Sequence, residues 1–147
     1  MIQAEILQPL AVLAGWTMIM WIWMYATRIP AINKLPKPTE PGADAGWTGA
    51  MLEGLIPREI QWKAHNYNHL HEAPTVFYAV ALALAITGQG DGLNAKIAWA
   101  YVVIRIVHSI YQATVNKVMP RFLLFALSSL CLMALTLHLV LAQFHQG

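Results

Sequence analysis

The stretch PRFLLFALSSLCLMALTLHLVLAQF, from Pro120 to Phe144, decides the fold. Its one formal charge is Arg121, at the second position. A helix rising about 1.5 Å per residue needs about 20 such residues to cross roughly 30 Å of hydrocarbon, and this run has them. Ile6–Ala26 is a second run of that kind. Glu5, not a basic cluster, precedes it, and Arg28, not a small-residue cleavage site, follows it, so it reads as a retained span rather than a signal peptide.

Between these runs lie two mixed segments. The spans are expected at about residues 5–28, 57–87, 94–116 and 120–144 of one domain covering 1–147, with a loop at about 29–56. That loop carries Pro30, Pro36, Pro38, Pro41, Gly42, Gly46 and Gly49, which interrupt regular structure. Pro57 suits the start of the second span, and Asn94 is a candidate N-cap for the third. The fold class is therefore all-α and integral to a membrane: a four-transmembrane-helix bundle.

Composition agrees. Of 147 residues 58% are hydrophobic and only 11% charged, and the mean hydropathy is +0.50. Soluble domains average about 45–50% and about 25%, and a chain this short has too little interior to hide the excess. Net charge is +2, with no basic run or basic–aromatic stripe, which argues against nucleic acid as a partner. The one cysteine, Cys131, lies inside the last apolar run, so no intrachain disulfide or cysteine zinc motif can form.

Arg28, Lys34, Lys37, Arg58 and Lys63 surround the first connection, and Lys117 and Arg121 the third. The second connection has Lys96 alone. Seven positive charges against one place loops one and three in the cytoplasm, with both termini and loop two outside.

Two polar stripes interrupt the apolar pattern. Arg58, Gln61, His65, Asn68 and Glu72 recur at steps of three and four, as do Tyr101, Arg105, His108, Gln112 and Asn116. A mid-span arginine costs about 2.5–3.5 kcal/mol even on insertion-based scales. Arg105 should therefore face the bundle interior or a wet cleft, with Glu72 as its nearest candidate partner. One reading is an ion pair and hydrogen bonds that only join helices. The length of both stripes favours a polar cleft for an anionic, hydrogen-bonding ligand. His65, His69 and His71 form one histidine cluster, and Thr75 occupies the place of the second histidine in HExxH, so no metal is expected.

The segment Lys63-Ala-His-Asn-Tyr-Asn-His-Leu-His-Glu-Ala-Pro74 with Phe77-Tyr78, then Arg105-Ile-Val-His-Ser-Ile-Tyr-Gln112, then Arg121-Phe122, resembles the MAPEG superfamily, membrane-associated proteins in eicosanoid and glutathione metabolism. The likeness is greatest to a bacterial branch with an N-x-x-x-E-x-P…FY pattern. It implies a homotrimer of four-helix subunits in a bacterial inner membrane, in contact with membrane lipid. It further implies glutathione as cosubstrate, bound by Arg28, Asn68, Glu72, Arg105, His108, Tyr111 or Gln112, and Arg121. Arg121 and Arg105 would be catalytic, stabilising a thiolate that attacks a lipophilic small molecule. The implied function is a glutathione-dependent transferase or peroxidase acting on a lipophilic electrophile. Phe122 stands where the prostaglandin E synthase branch has a serine, and Tyr111 is one residue off the turn after His108, where Gln112 lies. These departures fit an alternative, a non-catalytic lipid-binding or partner-presenting membrane protein.

Overall fold

The computed structural model describes residues 3–35, 52 and 54–145. Most of the first loop, including Lys37, Gly42, Gly46 and Gly49, lies outside the described residues. Among the described residues five helices are seen: α1 (Leu7–Asn33), α2 (Arg58–His69), α3 (Ala73–Ile86), α4 (Leu93–Thr114) and α5 (Val118–Phe144). With α2 and α3 taken together, four helical stretches are long and apolar enough to cross a membrane. The protein is an all-helical, integral membrane bundle. Helix α1 continues through Pro30, five residues past the expected end at 28.

The second stretch is not one continuous helix, as the sequence suggests, but breaks at Leu70–Glu72. Pro74 is the cause. It has no N–H to give the carbonyl of Leu70, and its ring crowds that carbonyl. Pro74 is instead accommodated in the first turn of α3, where a missing donor costs nothing. The Thr75 hydroxyl donates to the carbonyls of His71 and Glu72 at the break.

The inward-facing polar groups of this stretch differ from those the spacing suggests. Gln61 of the expected stripe is buried, but His65, Asn68 and Glu72 are exposed. The buried polar residue near the end of α2 is Asn66, with no accessible surface. Its amide donates to the Ser109 hydroxyl, which also accepts the indole N–H of Trp16 at 2.9 Å. Ser109 thus ties α1, α2 and α4 together.

The apolar core runs through Leu13 and Met20 of α1, Phe77 and Leu84 of α3, Val102 of α4 and Leu135 of α5. Phe77 stacks on Tyr101 with centroids 4.6 Å apart, a contact worth about 0.5–1.5 kcal/mol beyond its burial. Outward, α1 shows Met18, Ile19 and Ile22, and α5 shows Leu123, Leu130, Met133 and Leu137, surface suited to lipid and not to water.

At the end of the bundle away from Arg121, the chain start is fastened to the α3–α4 turn. Ile6 N–H donates to the Gly90 carbonyl at 2.9 Å and Glu5 N–H to the Asp91 carboxylate at 2.8 Å. A Cβ on Gly90 would stand 2.7 Å from Ile6 Cγ2 and 2.8 Å from Ala4 Cβ, so a side chain there would displace this segment. Asn94 does not cap α4, whose N-cap is Gly92. Its amide donates to the Gln89 carbonyl and its oxygen lies 2.6 Å from His138 Nδ1, linking α4 to α5.

Candidate functional site

Helix α4 is uninterrupted, so steps of four, three and four hold Tyr101, Arg105, His108 and Gln112 on one side of it. All four are buried, Arg105 and Tyr101 completely. Among the described residues, Tyr101 Oη, His108 Nδ1, Gln112 Oε1 and all three guanidinium nitrogens of Arg105 have no hydrogen-bond partner. Glu72 does not fill that role for Arg105. Its carboxylate lies 2.9 Å from His69 Nδ1 and is largely exposed. Buried polar atoms normally find partners, and a guanidinium with none is a strong exception to that rule.

The outer part of this stripe opens into a cleft of about 370 Å³. His108 and Gln112 form its α4 wall, and Val118, Arg121, Phe122 and Phe125, from the first two turns of α5, form another. His69, the last residue of α2, closes it. The His69 ring lies 5.4 Å from that of His108 and 5.8 Å from that of Phe125. The α4–α5 connection sets the position of Arg121. Asn116 takes a positive φ of 55°, tolerable for asparagine, and its side-chain oxygen accepts a hydrogen bond from Arg121 Nη1 at 2.6 Å.

Of the residues singled out from sequence, His108, Gln112 and Arg121 line the cleft, Arg105 lies one turn deeper on α4, and Glu72 reaches it through His69. Within the protomer Arg28, Asn68 and Tyr111 do not line it. Arg28 sits near the end of α1 with its Nε buried and unpartnered. His69 and Phe125 were not among the expected site residues. His69 has a sequence signal in Glu72 three positions on, but Phe125 has none apart from its place one turn after Arg121.

Chemically the cleft combines a cation in the first turn of a long helix, where the helix dipole also favours anions, with polar groups awaiting partners and an apolar rim. Among the described residues no cluster of three metal-ligating side chains occurs. The cation, the unpartnered polar groups and the apolar rim together suit an organic anion with an apolar portion.

No curated protein and no solved structure matches the chain significantly. The family model of MAPEG does match, over residues 6–141, which takes in α1 to α4 whole and α5 as far as Leu141. The chain belongs to the MAPEG family.

Proposed function

We propose that the protein is a membrane-bound, glutathione-dependent transferase or peroxidase that acts on a lipophilic electrophile and assembles as a homotrimer. The observation that carries this reading is the cleft joining Arg121 to the unpartnered stripe of α4 beside Phe122 and Phe125. Glutathione offers two carboxylates to arginine, amides to Gln112 and His108, and a thiol that ionises more readily beside a cation. An electrophile dissolved in the bilayer would reach the thiol past the phenylalanines. In a trimer, Arg28 and Asn68 would be available to a neighbouring protomer's cleft. The family's inclusion of glutathione transferases and peroxidases supports the same assignment.

Calorimetric titration of the detergent-solubilised protein with glutathione tests it, together with conjugation of chlorodinitrobenzene and the particle mass by light scattering. Wild type should bind, turn over and have the mass of three chains. Arg121→Ala should bind about tenfold to a hundredfold more weakly, the value of a hydrogen bond to a charged group. Wild type that neither binds nor reacts would remove the transferase reading. Binding without turnover would instead favour the lipid-binding alternative, to which the exposed Phe122 at the cleft rim also lends support.

The cleft lies at the bundle end that bears Lys63, Lys117 and Arg121, and we place that end in the cytoplasm of a bacterial inner membrane. An alkaline phosphatase fused to the C-terminus should then be active, while fluorescence from a C-terminal cytoplasmic reporter would reverse the orientation.

A further inference from the structure

We propose that His69 is the general base of this cleft and that Glu72 is its positioning residue; the inference rests on the glutathione reading above. His69 ends α2, immediately before the break imposed by Pro74. Because the chain turns there, Glu72, three residues on, folds back with its carboxylate oxygen 2.9 Å from His69 Nδ1. A carboxylate cannot donate, so Nδ1 carries the proton and Nε2 is left as the basic nitrogen. His69 is only 23% exposed and lines the cleft, while Glu72 is 68% exposed. The carboxylate thus orients the ring from the wet side, and the ring presents its other edge to whatever the cleft holds. His108 and Phe125, whose rings pack near it, limit the ring's rotation.

Such an arrangement, a base held by a third group, is the usual way of activating a weak nucleophile. His69 Nε2 accepts the thiol proton as the S–H bond breaks. The thiolate sulfur then forms a bond to the electrophilic carbon, and the bond from that carbon to its leaving group breaks, the group departing with the electron pair. The imidazolium returns the proton to a basic leaving group, or to water where the leaving group is chloride. Of the charges facing His69, Glu72 favours the transient imidazolium, whereas Arg105 of α4 and Arg121 of α5 oppose it. His108 is a further titratable neighbour.

The test compares wild type, His69→Gln and Glu72→Gln, each as the intact detergent-solubilised protein. It measures the glutathione Kd, the ultraviolet absorbance of bound thiolate, and kcat with chlorodinitrobenzene. His69→Gln should keep Kd within about threefold, lose the thiolate band and lower kcat by about a hundredfold, at the low end for general acid–base catalysis. Glu72→Gln should lower kcat by about tenfold and weaken the thiolate band, because the charge that holds the ring is lost. A thiolate band and kcat unchanged in His69→Gln would overturn the proposal, with the glutathione reading intact. A loss of affinity in His69→Gln would also overturn it, making the histidine a ligand-holding group. Absence of glutathione binding by wild type would defeat the function reading itself.

Discussion

Replacing Arg105 with methionine should make the bundle more stable and the cleft much weaker for an anion. The two effects have different origins. Arg105 is fully buried, and its guanidinium has no hydrogen-bond partner among the described residues. Removing an arginine from mid-span relieves about 2.5–3.5 kcal/mol on insertion-based scales. Methionine keeps most of the side-chain length and flexes to fill irregular space, so little cavity remains. A net gain of about 2 kcal/mol in resistance to unfolding in detergent is expected.

The loss of binding follows from Coulomb's law. Arg105 lies about one helical turn, ~5 Å, deeper than His108, which places its charge about 8 Å from an anion in the cleft. At an effective dielectric of about 20 this attraction is worth about 2 kcal/mol, or about thirtyfold in affinity. Thermal unfolding and glutathione titration on the same preparation check both halves. A fall in stability would mean that the guanidinium is paired across a subunit boundary and serves the assembly. An affinity left unchanged would take Arg105 out of the site.

Four spans could be read from sequence because lipid enforces the pattern: about 20 apolar residues for each crossing. The α4 stripe could be read for a related reason. Tyr101, Arg105, His108 and Gln112 sit among apolar residues on an unbroken helix, so spacing alone put them together, and all four are buried. Helix α2 offered no such guide. It is polar nearly all round, with Arg58, Glu59, Gln61, Lys63, His65, Asn66, Asn68 and His69 in twelve residues, so no apolar stripe marks its inner side. The spacing favoured Gln61, His65 and Asn68, whereas packing against Ser109 selects Asn66. Pro74 added a change of phase that made Glu72 a partner of His69 and not of Arg105. The place of His69 against His108 and Phe125 arises from tertiary packing, which no period along one helix encodes.

Ser109→Ala should cost the bundle about 2 kcal/mol, although it removes a single oxygen atom. That oxygen accepts from Trp16 Nε1 of α1 and Asn66 Nδ2 of α2 at once, and Ser109 and Asn66 are both fully buried. In a water-based comparison each donor left bare would cost about 1–3 kcal/mol. Interhelical hydrogen bonds in membranes are weaker, about 0.6 kcal/mol on average and about 1.7 at most, because helices separated in lipid find other partners. Two bonds meeting at one buried atom place this site towards the upper part of that range. Alanine's better helix propensity returns only about 0.5 kcal/mol. Unfolding in mixed micelles measures the loss, and the double variant Asn66→Leu/Ser109→Ala separates its causes. Leucine removes the bare amide, so the double variant should be more stable than Ser109→Ala alone. A double variant weaker by the sum of the two single losses would show that Asn66 and Ser109 act independently, and that the three helices are held by apolar packing instead.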